Sequence, residues 1–439
     1  MTHEVIVLGA GPAGSAVARR LAASGICVAL IGMTQRAGWE GVSDRSRLLL
    51  AEEGVEHGRD LLTGPLVRRG RWADRLVEGR EWLVERTRLA SLLRDSAVSA
   101  GAEVRVAAVT GVARTSDEWR VVTRGGDLLT APVLIEARGR RGRARRGPLL
   151  LAIGQAFRRH PRGVVGTRIE PADFGWCWWV ERDDELWVQI VARPGRSRPD
   201  GWVAAAARQI PGLSQALNGA TPTGEPSACA AHARFGLDRR SGAQEPALRP
   251  WRVGDAAVAL DPLSGQGIYQ ALKSAKLVAT AILSVLNGGD AALAERFVIE
   301  RHEEDFLRGV RVATEFYGQN AAHGEFWAQT TKAYEVLSVP HGRPRVAGRR
   351  IERRPTLIDG RIVEREVIVS RAHPRGVLQV AGVPLAELVR HLELNAGATP
   401  ASVSRCLGRP DRAVAAAMHW LDQAGPTQGK DALANHPGG

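Results

Sequence analysis

Gly9, Gly11 and Gly14 stand at G-x-G-x-x-G spacing in "EVIVLGAGPAGSAVARRL", between an apolar run that reads as a strand and an amphipathic run that reads as a helix. That spacing in that context suits a dinucleotide. The first glycine permits a tight turn, the second lets backbone approach a pyrophosphate, and the third lets helix pack closely on strand. Pro12 and Ala13 carry the chain into the helix, whose N-terminus attracts phosphate charge. The motif alone does not separate NAD from FAD. The acidic residue usual at the end of the second strand is missing, because "VALIGMTQR" places Gly32 there. The adenosine ribose is then left to backbone, to Thr34, Gln35 or Arg36, or to a remote group. This weighs against an NAD-dependent dehydrogenase.

Farther along, "VGDAAVALDPLSGQGIYQAL" (253–272) leads from a strand through a glycine loop into a long helix. It resembles the second FAD-binding motif of the superfamily of flavoprotein monooxygenases, geranylgeranyl reductases and flavin-dependent halogenases. The resemblance implies that Asp255, after Gly254, binds the ribityl chain. It also implies that Pro262 and Gly265-Gln266-Gly267, with Ile268 following, lie against the isoalloxazine. A helix N-terminus at that edge suits reduced flavin, which is anionic near N1 and O2. A third stretch, "VERTRLASLL", resembles the superfamily's helix after its β-meander and places Arg86 near the flavin or its pyrophosphate. Arg45 is assigned to the cofactor with it. Three matches in order along the chain identify FAD as the expected cofactor.

Two departures from the superfamily carry information. Its Asp-Gly motif reads "EARG" here, with Arg138 in place of the aspartate, which implies that electrons come from an external donor or a separate flavin reductase. Halogenases need an active-site lysine early in the chain. The four lysines here, Lys273, Lys276, Lys332 and Lys430, all come late, which argues against halogenation.

The segment "FGWCWWVERDDELW" (174–187) holds four of the twelve tryptophans. As a strand it would put Phe174, Trp176, Trp178 and Val180 on one face, and Gly175, Cys177, Trp179 and Glu181 on the other. A turn at Asp183-Asp184 would return Trp187 alongside. The segment resembles the W-x-W-x-I-P strand of halogenases and the aromatic strand of geranylgeranyl reductases, except that Glu181 replaces the proline. Trp176 and Trp178 are candidates to line a substrate pocket, and packing as core is the competing role. The acidic residue nearest the glycine loop is Asp261, a candidate base whose alternative role is shaping that loop.

These motifs must be held by a folded core, and 439 residues at 44% hydrophobic suffice for two or three domains. Residues 1–150 read as the first part of a cofactor domain, and 151–250 as short alternating strands of an antiparallel substrate sheet. Residues 251–335 return to the cofactor domain through helices. A hairpin turning at Asp359-Gly360 opens a separate section at 340–425, which closes with helical segments near 384–395, 400–407 and 410–424 and resembles a winged-helix module. Residues 426–439 read as a disordered tail. The expected fold is α/β, a two-dinucleotide-binding Rossmann-type FAD domain with an antiparallel substrate sheet and that C-terminal module.

No apolar run reaches the length of a membrane helix, and the N-terminus runs into a strand without signal-peptide features. Four cysteines lie far apart without metal spacing, which suits the cytoplasm. The net charge of +13 favours acidic partners. However, the final helix offers a nucleic-acid groove only Arg412 and His419, which argues against base reading.

The resemblance implies an FAD monooxygenase: reduced flavin reacts with O2 to give a C4a-hydroperoxide that passes oxygen to an electron-rich aromatic carbon. The altered motifs and extra C-terminal section are similar to one branch, flavoproteins that hydroxylate a tryptophan within a protein during tryptophylquinone formation. Two rivals are a small-molecule oxidoreductase (a natural-product hydroxylase or polyprenyl reductase) and a flavin-containing DNA-binding regulator.

Overall fold

The strand Val5–Leu8 is apolar and buried at every position, as a strand covered on both faces must be. It is the middle of a five-stranded parallel sheet, flanked by Val133–Glu136 and Trp251–Arg252 on one side and by Val28–Gly32 and Glu103–Val106 on the other. Parallel neighbours need crossover connections. The helix Pro12–Ala22 supplies the first of these, and the helix Arg86–Ser99 leads into Glu103–Val106. Pairing with Val133–Glu136 draws Trp251–Arg252 into the sheet, which delivers the second glycine motif to the same end as the first. The computed structural model describes residues 3–33, 37–55, 61–141, 144–195, 200–236, 249–338 and 348–425. The expected α/β class, with a Rossmann-type sheet beside a second sheet, is what the chain adopts.

The second sheet has nine strands, with the tryptophan strand Gly175–Arg182 in its interior. It pairs antiparallel with Val165–Ala172 and with Glu185–Ala192, and the turn that leads from it into Glu185–Ala192 holds Asp183 at φ +41°. Val180 lies opposite Trp187. Alternation then splits the strand between two cores. Trp176, Trp178, Val180 and Trp187 join Trp72, Tyr317, Trp327 and Tyr334 on one face. Cys177 and Trp179 pack on the other, beneath the helices Asp200–Gln209 and Pro211–Leu217.

Two features differ from the sequence-based expectation, and a third is an element that no sequence motif announces. Phe174 packs with the Cys177 and Trp179 cluster instead of the Trp176 face. It precedes the strand, in the turn that joins Ala172 to Gly175, so the pleat's period does not govern its direction. The two helices at 200–217 interrupt what read as continuous β structure. The Arg-rich stretch after residue 60 is a long hairpin, Leu62–Trp72 with Arg75–Glu85. Its alternation is hard to see because Arg68 and Gly70 share a face with Leu66 and Trp72, and the opposite face is exposed.

The chain forms two compact units, residues 1–280 with 302–339, and residues 281–301 with 340–439. In the second, Arg350–Ile358 and Arg361–Val369 form a hairpin whose central residues Asp359 and Gly360 both have positive φ, +47° and +76°. That is the signature of a tight type I′ turn. Helices Leu385–Leu394, Pro400–Leu407 and Asp411–Gln423 close over Ile368, Leu388, Val403, Val414 and Leu421. The last helix buries Val414, Ala417 and Leu421 and exposes Arg412, Ala415, Ala416 and His419. The Arg354 guanidinium donates to the Glu300 carboxylate at 2.8 Å within this unit. The tail at 426–439 lies outside the described residues. Among the described residues no helix is long and apolar enough to cross a membrane, and no cluster of side chains could hold a metal ion.

Candidate cofactor and substrate site

The first motif is shaped by close backbone approach. Gly9 has φ +112°, and a Cβ there would lie 2.4 Å from the Ala137 carbonyl oxygen. A Cβ on Gly14 would lie 1.8 Å from the Gly9 carbonyl oxygen. The helix Pro12–Ala22 starts from Gly11 without any side-chain cap, so its first amides are free of side-chain acceptors. Uncapped amides at a helix start, together with the helix dipole, form an anion site. The missing acid at Gly32 also has a physical cause. A Cβ at that position would sit 2.3 Å from the Ala10 nitrogen, so the end of the second strand passes too close to the turn to carry a side chain. Thr34, Gln35 and Arg36 lie outside the described residues.

The second motif packs directly onto the first. Gly254 has φ +58°, and a Cβ there would come within 2.7 Å of the Ala13 Cβ; its own N–H donates to Ser274 Oγ at 2.7 Å. Asp255 accepts from Arg140 Nε at 3.0 Å. Arg234, fully buried, donates to the Asp255 carbonyl at 3.0 Å. Burial pushes its guanidinium down to about 10, and neighbouring Arg252, Arg146 and Arg140 push the same way. Such a concentration of positive charge favours an anion. Beyond it, Pro262–Ser264 forms one 3-10 turn that ends at Gly265 with φ +60°. Gly265, Gln266 and Gly267 are exposed, Ile268 is buried, and a Cβ on either glycine would meet nothing within 4 Å. The 20-residue helix Gly267–Leu286 starts here.

Arg86 opens its helix and is held by Glu40, with Nε and Nη2 donating to the same carboxylate oxygen at 2.9 and 2.5 Å. Glu40 raises the Arg86 guanidinium, with smaller contributions from Cys229 and Asp255. Asp255 therefore lies within electrostatic reach of Arg86. Arg45 is exposed on the helix Asp44–Glu52. Arg138 folds back on Glu136, its N–H and guanidinium both donating to that carboxylate.

Asp261 is 1% exposed and sits at the head of the 3-10 turn, where its carboxylate accepts from the Leu263 N–H at 2.9 Å. Tyr334 OH donates to it at 2.6 Å and Tyr317 OH at 3.3 Å. Burial lifts the carboxyl from 3.8 to about 6 against the pull of those hydrogen bonds. Trp176 Nε1 donates to Tyr317 OH at 3.1 Å, and Trp178 Nε1 donates to Glu81 at 3.4 Å. Both candidate tryptophans are thus buried with their N–H groups occupied. Trp187 differs: its Nε1 is buried without a hydrogen-bond partner among the described residues, and its ring crosses Gly154, where a Cβ would come within 2.3 Å of Cζ2. No motif marks Tyr317 or Tyr334. The available signal was scarcity, since the chain has only three tyrosines and two of them meet at Asp261.

The chain is similar to several known proteins. The solved structure of the peptidyl tryptophan dihydroxylase QhpG, essential for tryptophylquinone cofactor biogenesis, is 30% identical and superposes with a TM-score of 0.81. The match covers 97% of this chain and all of QhpG, 100%. The chain belongs to the QhpG family. CmlS, a flavin-dependent halogenase, shares the fold at 18% identity and TM-score 0.68, over 89% of each chain. The sequence pattern of the lycopene cyclase protein family matches residues 4–160. A tryptophan 2-halogenase from Chondromyces crocatus is 35% identical over 89 residues, which span 20% of this chain and 17% of the halogenase. Family membership thus rests on the end-to-end QhpG match, and the CmlS likeness shows a shared fold.

Proposed function

We propose that this protein hydroxylates a tryptophan side chain held within a polypeptide, as a step in the maturation of a tryptophan-derived quinone cofactor. It is an FAD-dependent aromatic hydroxylase, and its co-substrate is O2. The observation that carries the polypeptide reading is the similarity to the peptidyl tryptophan dihydroxylase across the whole of both chains.

The residues present fit FAD. We assign the pyrophosphate to Gly9, Gly11, Pro12, Ala13 and Gly14 at the uncapped helix start, beside the Arg140 and Arg234 charges. Asp255 is placed to accept from a ribityl hydroxyl, and Arg86 and Arg45 to face the cofactor. Pro262, Gly265, Gln266, Gly267 and Ile268 would border the ring, with open space above both glycines. Bound FAD supplies the electrons and the O2 activation that hydroxylation requires. The amides at the start of the Gly267–Leu286 helix then stabilise negative charge on its ring. The Trp176, Trp178 and Trp187 face is the one packed with Leu260 and Leu263 of the second motif, which supports assigning it as the sheet face toward the cofactor. Its aromatic packing excludes water there. An indole is nucleophilic at carbon and needs little base assistance.

In this assignment residues 1–150 and 251–335 hold the cofactor, 151–250 present the substrate, and 340–425 form the additional module. Arg138, paired with Glu136 where the resembled superfamily's Asp-Gly motif would put an aspartate, supports delivery of electrons from outside by a donor or flavin reductase. The absence of disulfides among the described cysteines suits a cytoplasmic setting.

The test compares substrates of different size. The FAD-loaded protein, supplied with reduced flavin and air, is given free tryptophan, tryptophan peptides, or an unmodified tryptophan-bearing polypeptide precursor of a quinone enzyme. Mass spectrometry is expected to find one or two added oxygen atoms on the polypeptide's tryptophan and little on the free amino acid. Efficient oxidation of free tryptophan with none on polypeptides would remove the polypeptide reading.

A further inference from the structure

Asp261 is a buried acid beside the glycine loop, and a base role and a structural role make opposite demands on it. A general base needs a lone pair directed at the substrate. Every group found around this carboxylate is a donor: the Leu263 N–H and Tyr317 OH toward one oxygen, and the Tyr334 and Tyr317 hydroxyls toward the other. The donors are fixed in turn. Tyr317 OH accepts from Trp176 Nε1 at 3.1 Å, and Tyr334 OH accepts from the Ala233 N–H at 3.4 Å. The two phenol rings stack at 5.6 Å and are fully buried. Each hydroxyl therefore has its single proton directed at Asp261 and one lone pair engaged by an N–H from behind.

We propose that Asp261, Tyr317 and Tyr334 form a sealed clamp that positions the Gly265-Gln266-Gly267 loop against the tryptophan strand, and that Asp261 is a positioning residue instead of the base of the hydroxylation. Three segments meet at this one carboxylate, and a fourth is joined to it through Tyr317. They are the 3-10 turn Pro262–Ser264, the helix Ala291–Gly318 through Tyr317, the helix Glu325–Ser338 through Tyr334, and the strand Gly175–Arg182 through Trp176. The turn leads within a few residues to the start of the helix Gly267–Leu286, so a change at Asp261 is felt at those amides. The Trp176 indole is tied to the same point. The clamp thus sets the spacing between the loop assigned to the flavin ring and the sheet face assigned to the substrate. This inference rests on the FAD reading of the loop.

The test is FAD affinity of the full-length apoprotein, measured by fluorescence quenching of the flavin for wild type, Tyr334→Phe, Tyr317→Phe, Asp261→Asn and Asp261→Asn/Tyr334→Phe. Each tyrosine change removes one hydroxyl and leaves the ring to fill the core. We expect Tyr334→Phe and Asp261→Asn each to weaken FAD about tenfold and the double variant to be no weaker than the worse single, because the two belong to one clamp. Tyr317→Phe should also shift the tryptophan emission, since Trp176 loses its acceptor. At saturating FAD, all variants should keep a pH profile of kcat shaped like the wild type's. The clamp is wrong if FAD affinity in every variant stays within about twofold of wild type. It is equally wrong if Asp261→Asn abolishes kcat at unchanged FAD affinity and removes a limb of the pH profile. Wild-type apoprotein that fails to bind FAD would instead overturn the cofactor reading itself, which keeps the two failures apart.

Discussion

Replacing Gly14 with alanine is expected to leave a protein that cannot retain FAD and unfolds far more easily than wild type. The new Cβ would sit 1.8 Å from the Gly9 carbonyl oxygen and 3.1 Å from the Ala137 Cβ. Neither neighbour can move freely. Gly9 is itself wedged against the Ala137 carbonyl at positive φ, and Ala137 follows the interior strand Val133–Glu136, which pairs with the central strand Val5–Leu8. Relief therefore requires the helix Pro12–Ala22 to lift from the sheet, and that same shift misdirects the amides assigned to the pyrophosphate. Overpacking in a tight core costs about 1 to 3 kcal/mol where side chains can adjust. Here only backbone is available, so about 3 kcal/mol or more is expected. Visible absorbance of the purified variant and its urea unfolding midpoint measure the two effects. A yellow variant with an unchanged midpoint would contradict the packing described for this motif.

The second large effect is a pair of opposed pH dependences. Burial raises Asp261 from 3.8 to about 6, so between those values the folded state holds its proton more tightly than the unfolded chain does. Stability from this group is complete below about pH 4 and is lost as pH rises through about 6. His302 is fully buried and behaves in the other sense. Burial lowers its imidazole from 6.5 to about 4, with Asp305 opposing and Lys273 reinforcing. The fold favours neutral His302, so its stability is complete above about pH 6.5 and is lost as pH falls toward 4. Each shift corresponds to about 3 kcal/mol. In wild type the two nearly cancel across that window. Urea unfolding near pH 4.5 and near pH 6.5 should show Asp261→Asn gaining stability with rising pH relative to wild type, and His302→Leu losing it. Parallel pH dependences in all three proteins would show that neither group is perturbed as described.

Residues that act locally were the legible ones. Gly9, Gly11 and Gly14 must adopt one turn whatever lies elsewhere, and "DPLSGQG" likewise carries its own geometry, so both motifs could be read directly. The hairpin at Asp359-Gly360 was visible for the same reason. The tryptophan strand was half legible. Its period correctly divided Trp176 from Trp179, but which face meets the second motif depends on the helices at 200–217, whose alanines and scattered apolar residues did not stand out. Phe174 was misplaced because a turn residue does not obey the pleat. The Tyr317, Tyr334 and Asp261 cluster joins positions far apart in sequence, and nothing near either tyrosine records its partner. Gly32 shows the reverse. The sequence revealed the missing acid, and only the 2.3 Å approach to the Ala10 nitrogen explains it.

The central claim, that this chain places oxygen from O2 on an aromatic ring by means of FAD, is tested most directly with isotopically heavy dioxygen. The holoprotein is supplied with reduced flavin, a halide salt and a tryptophan-bearing polypeptide under the labelled gas, and the product is sequenced by mass spectrometry. The account predicts heavy oxygen on the indole of one tryptophan, dependent on FAD and independent of the halide. A halogenated indole, or an oxidised one that carries no heavy oxygen, would contradict it.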